Sequence, residues 1–145
     1  MKKPSVASQD AKPPDPSTFF LDASLGRGTV ADMLRQVGER VEIHDAHFPS
    51  GTPDEVWLQE IGRRGWVVLT KDANIRYHPL EKQAIQASGV VAIILTKGNL
   101  KAEEMGQIFV NALPQIKRLI RKNRPPFIAR LTPAGSLSVF DLGNI

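Results

Sequence analysis

The chain has 145 residues, 41% of them hydrophobic, which suits one domain with its own core and leaves little room for a second. It has no cysteine, which excludes disulfides, thiol catalysis and cysteine-ligated zinc and fits a reducing compartment, so the cytoplasm is the expected location. The formal charge of +4 favours an anionic partner only mildly. No apolar run approaches the ~18 residues of a membrane span, and none follows Lys2 and Lys3 as the core of a secretion signal would.

Residues 1–17 are rich in Lys, Pro, Ser and Asp and are predicted to form a flexible tail, leaving 18–145 as the folded domain. Thr18-Phe19-Phe20-Leu21 reads as a short strand buried on both faces and ending at Asp22. After a loop with Gly26 and Gly28, the residues Val30, Met33, Leu34 and Val37 recur at helical spacing until Gly38. Val41-Glu42-Ile43 predicts a second strand, and His44 to Gly51 a loop. Thr52-Pro53-Asp54-Glu55 carries a capping hydroxyl, a proline suited to the first helical position and a glutamate three residues after the threonine. A helix is expected from there to about Gly62, burying Trp57, Leu58 and Ile61. Trp66-Val67-Val68-Leu69-Thr70 is the clearest strand, ending at Lys71-Asp72.

A polar link, a helix over about 79–87 and a fourth buried strand over 90–95 come next. Three strand-helix alternations imply an α/β domain, a parallel sheet flanked by helices with right-handed crossovers. From Met105 to Ile120 the apolar residues keep a helical period, with a kink or break expected at Pro114. Residues 127–131, a Pro133-Ala134-Gly135 turn and residues 137–140 predict a closing β-hairpin. Beyond Met105 stand Lys117, Arg118, Arg121, Lys122, Arg124 and Arg130 against the single acid Asp141, a basic stretch that could sit on phosphates or serve as a solvated helix face.

In an open parallel sheet, ligands gather beyond the carboxyl ends of the strands. Asp22 and Asp72 each follow a predicted strand directly, and Asp54 and Glu55 open a helix on the same rim, so acids distant in sequence converge. Such convergence is repulsive without a cation, and Mg²⁺ or Mn²⁺ takes carboxylate oxygens and water. Each acid also has a plainer use. Asp22 and Asp72 could close Asx-turns or cap helices, Glu55 fits the reciprocal bond of a capping box, and Asp45 could belong to an ordinary turn. His44, His47 and His78 have no metal-ligand spacing, which argues against zinc, and no phosphate-binding glycine motif is present.

Three blocks, Phe20-Leu21-Asp22-Ala23-Ser24-Leu25-Gly26, Thr52-Pro53-Asp54-Glu55-Val56-Trp57-Leu58 and Gly65-Trp66-Val67-Val68-Leu69-Thr70-Lys71-Asp72, together resemble the signature blocks of PIN-like domains. The likeness is closest to a compact branch with an Asp after the first strand, an acidic helix start and a Leu-Thr-Arg/Lys-Asp block, and it covers roughly residues 18–95. It implies metal-dependent hydrolysis of RNA, with Asp22, Asp54 and Asp72 as ligands of Mg²⁺ or Mn²⁺ and Glu55 as helper. Lys71, Asn74 and Arg76 would contact substrate, although Arg76 suits a structural salt bridge equally. Many members carry an acid where this chain has Asn74, which supplies no charge and would hold a second ion weakly. The resemblance further suggests a toxin of a toxin–antitoxin pair, with an antitoxin protein as partner; whether the chain forms a homodimer stays open in the sequence. A catalytically silent module that binds RNA or protein is the alternative. A phospho-acceptor receiver domain would want two adjacent acids after the first strand, where only Asp22 stands.

Overall fold

Side chains that alternate between the two faces of each strand decide how the layers assemble. The structure, a computed structural model, describes residues 17–26, 28–71, 83, 85–87, 89–96 and 99–140. Strands β1 (Thr18–Leu21), β2 (Arg40–Ile43), β3 (Val67–Thr70), β4 (Val91–Leu95), β5 (Phe127–Leu131) and β6 (Leu137–Phe140) form one sheet in the order β2-β1-β3-β4-β5-β6. Neighbours are parallel from β2 through β5, and β6 returns antiparallel to β5, completing the expected hairpin. The fold class is therefore α/β with a mostly parallel sheet.

Helices α1 (Thr29–Gln36), α2 (Asp54–Arg64) and α3 (Ala102–Lys122) pack on the sheet. Phe19, Leu21, Leu69 and Ile93 pack in one core with Leu34 of α1 and Phe109 and Ile116 of α3. The alternate residues Phe20, Val68, Ala92 and Ile94 join Trp57, Leu58 and Ile61 of α2 in another. Burial on both faces is why these strands read as unbroken apolar runs. Helices α1 and α3 approach closely at Gly106, where an added Cβ would run into the Met33 side chain. Among the described residues, no helix is long and apolar enough to cross a membrane.

Several local expectations are corrected. Helix α1 stops at Gln36, and Val37 is 51% exposed rather than part of the buried stripe, because Gly38 at φ +95° turns the chain away. Helix α2 runs past Gly62 to Arg64 and closes at Gly65 in the left-handed region, where Gly65 N–H donates to Gly62 O and Trp66 N–H to Ile61 O. The capping box at Thr52 does not form. Pro53 is the cap residue, and the Thr52 hydroxyl donates instead to Pro49 O at 2.7 Å, closing the preceding turn. The reach-back acid of such a box occurs on α3, where Glu104 accepts from Lys101 N–H at 2.7 Å. Helix α3 continues through Pro114 without a break, since Pro114 faces solvent and water can satisfy the carbonyl it leaves unpaired.

Residues 83 and 85–87 are helical, in agreement with the expected helix, and Ile85 is buried. The start of that helix, residues 1–16 of the tail expected over 1–17, and Asp72, Asn74, Arg76 and His78 lie outside the described residues.

Candidate active site

Strand β1 lies between β2 and β3, so the chain first winds to one side of β1 and then crosses to the other. At such a reversal the loops leaving the two neighbouring strands diverge and open a crevice at their carboxyl ends. Asp22 follows β1 and Lys71 follows β3, which places both at this point.

Asp22 is 6% exposed, and its carboxylate is held from several sides. Oδ1 accepts from Ser24 N–H at 3.0 Å and from the Ser24 hydroxyl, and Oδ2 accepts from Thr70 Oγ1 at 2.6 Å. Asp22 thus caps the short 3₁₀ turn Ala23–Leu25, the plainer use foreseen for it, and is fixed in position by that turn. Lys71, expected to contact substrate, donates its backbone N–H to Ser24 Oγ at 3.0 Å, tying the loop after β3 to the loop after β1. A buried carboxylate needs such donors, because unsatisfied charge is costly away from water.

Asp54 opens α2, and its Oδ1 accepts from the Trp57 indole N–H at 2.9 Å, one helical turn on. A cavity of about 220 Å³ has Asp22, Ser24, His44, Thr52, Asp54 and Trp57 on its wall. Asp22 and Asp54 are thereby brought together. Glu55, half-buried on the next position of the helix, is not on that wall, and Asp45 is 57% exposed outside it. Among the described residues, no three His, Asp or Glu side chains converge closely enough to hold an ion by themselves. The wall nevertheless offers carboxylate and hydroxyl oxygens, the donor type that Mg²⁺ and Mn²⁺ select, so the residues present fit such an ion.

Four wall or network residues went unrecognised in the sequence. Ser24 had a signal, since a hydroxyl residue two positions after an Asp is an Asx-turn pattern. Thr70 reaches Asp22 only because β1 and β3 are neighbours, which strand order alone reveals. Trp57 was expected in the core, and it is there, but its N–H also serves Asp54. His44, in a segment that reads as a loop, opens a short 3₁₀ turn, is 6% exposed and packs among Phe20, Phe48 and Trp57. His47 is separate, bonded to Glu42 at 2.7 Å.

The basic stretch resolves into unequal parts. Lys117 is paired with the nearly buried Glu39 at 2.6 Å. Arg118 and Lys122 instead line a larger groove of about 460 Å³ between α3 and the hairpin turn at Gly135 and Ser136.

The chain is 28% identical over 120 residues to "Putative ribonuclease VapC45" of Mycobacterium tuberculosis, an alignment covering 80% of this chain and 86% of that protein. No solved structure matches it. The model of the PIN-like domain family matches residues 17–97, from the start of β1 to just past β4, and so takes in all three acidic blocks: the chain belongs to the PIN-like domain family.

Proposed function

We propose that this chain is a metal-dependent endoribonuclease, acting as the toxin of a toxin–antitoxin pair in the cytoplasm. The observation that carries the reading is the pairing of Asp22 and Asp54 on one cavity wall at the reversal of the sheet. Asp72, two residues after the Thr70 that bonds Asp22, is proposed as the third acid. The similarity to a protein named as a ribonuclease points to RNA as substrate.

In this reading Asp22 and Asp54, with Asp72, hold Mg²⁺ or Mn²⁺. When bound, such an ion lowers the pKa of a coordinated water and offsets charge developing on the scissile phosphate. The protein's own contribution is positioning. Ser24 and Thr70 fix the Asp22 carboxylate from two sides, and Trp57 restrains Asp54, so little ordering is left for the moment of reaction. The groove beside Arg118 and Lys122 offers positive charge to RNA phosphates or to an acidic antitoxin.

The test is cleavage of single-stranded RNA by purified protein with Mg²⁺ or Mn²⁺ and with EDTA. Asp22→Asn and Asp72→Asn are each expected to abolish cleavage while the protein still melts cooperatively. Cleavage that survives EDTA, or that both variants retain, would refute the reading.

A further inference from the structure

We propose that His44 is a substrate-positioning residue of this cavity, its imidazole N–H donating to a phosphodiester oxygen of RNA held beside Asp22 and Asp54. The inference rests on the ribonuclease reading and adds a residue to it. The phosphodiester and the two carboxylates are all acceptors, so a bound RNA backbone needs protein donors to hold it.

Among the described residues, each other side-chain donor on that wall is already committed. The Ser24 hydroxyl donates to Asp22, the Thr52 hydroxyl to Pro49 O at 2.7 Å, and the Trp57 N–H to Asp54 at 2.9 Å. His44 is the exception. Its Nδ1 is buried with no hydrogen-bond partner, and Nε2 makes no hydrogen bond among the described residues. Asp45 Oδ1 lies 3.5 Å from Nδ1, and no hydrogen bond closes between them.

Nδ1 is enclosed, so the N–H offered to a ligand is that of Nε2, the ring nitrogen outside the enclosed set, in the tautomer that protonates it. The ring is also held in place. Phe48 lies 5.5 Å from it centroid to centroid, and Trp57 meets it edge-on at 5.5 Å and 88°. His44 is 6% exposed, and a largely buried polar ring that makes no hydrogen bond within the fold is costly unless water or a ligand meets it. The cavity, at about 220 Å³, is smaller than the ~300–1,000 Å³ of typical small-molecule sites, which suits a backbone phosphate and its sugar rather than an entire nucleotide.

The experiment compares wild type, His44→Phe and His44→Gln in the full chain. Phenylalanine keeps the aromatic packing and removes both nitrogens, while glutamine restores an N–H. Three quantities are read: the melting temperature, the kcat and KM for single-stranded RNA with Mn²⁺, and the Kd of a fluorescein-labelled RNA with Ca²⁺ in place of Mn²⁺.

His44→Phe should melt at or above the wild-type temperature, bind RNA about tenfold or more weakly, and raise KM correspondingly, the effect of one hydrogen bond to a charged group. His44→Gln should recover part of the loss. If His44→Phe does not fold, the ¹⁵N resonances of the wild-type His44 ring decide, and they must shift when RNA is added with Ca²⁺. Wild type that cuts RNA while His44→Phe keeps its KM and Kd overturns the role of His44 alone. Wild type that binds RNA through His44 but never cuts it overturns the ribonuclease reading alone, and wild type that binds no RNA overturns this inference.

Discussion

Thr70 Oγ1 donates to Asp22 Oδ2 across 2.6 Å, so residues 48 positions apart share a buried hydrogen bond at the ends of adjacent strands. Thr70→Val keeps the shape and removes the donor. It is expected to cost about 1.5–3 kcal/mol in urea unfolding, the scale for a hydrogen bond to a charged group. RNA cleavage should fall at least tenfold as the Asp22 carboxylate loses its fixed orientation. Thr70→Ser retains the hydroxyl and should lose less than half as much in both measurements. Equal losses in the two variants would assign Thr70 to packing alone.

Asp54 and Glu55 are adjacent, yet only Asp54 lies on the cavity wall. Asp54→Asn is expected to raise the Mn²⁺ concentration needed for half-maximal cleavage and to lower turnover sharply. Its stability should change by less than about 1 kcal/mol, the scale of a charge in the first turn of a helix. Glu55→Gln should leave cleavage near the wild-type level. The paired readout is activity against Mn²⁺ concentration together with melting temperature, and the opposite pattern would make Glu55 the acid that faces the ion.

Arg118 and Lys122 line the groove between α3 and the hairpin turn and take part in no ion pair among the described residues, unlike Lys117. Replacing both with Glu should weaken RNA binding and flatten the dependence of Kd on salt, because fewer counterions are released. The matching change at Lys117 removes its pairing with Glu39, so its main effect should appear in the melting temperature. An unchanged salt slope in the double variant would leave the groove as ordinary solvated surface.

Pro114 lies inside α3 on its solvent side. Pro114→Ala restores the missing N–H and relieves the ring clash, worth about 3 kcal/mol in a helix interior. Part of that gain, about 0.4–1 kcal/mol, is offset by the greater freedom of the unfolded chain. A net stabilisation of about 2 kcal/mol by urea unfolding is expected, with RNA cleavage unchanged. A lower melting temperature would mean that the proline fits a bend the packing of α3 requires.

The strands and the amphipathic faces were legible in the sequence because burial on two faces leaves apolar runs and burial on one leaves a 3.6-residue stripe. The acids at strand and helix ends were legible for a related reason, since the carboxyl edge of a parallel sheet is where such groups can meet. The Thr52 box misled because a local pattern names possible bonds and not the competing acceptor, here Pro49 O. Ser24 meeting Thr70, and His44 meeting Trp57, depend on strand order and on a turn that folds its residue inward. Neither leaves a trace in spacing.

The two faces of the sheet do not tolerate mutational drift equally. In the core beneath α1 and α3, a swap of Phe109 or Leu34 for a residue of similar volume is expected to cost less than about 1.5 kcal/mol. Under α2 that freedom is missing, because Trp57 fills the core, anchors Asp54 and borders the ring of His44. Even a well-packed Trp57→Phe gives up the indole donor, so core packing and the hold on Asp54 are inherited together at this position.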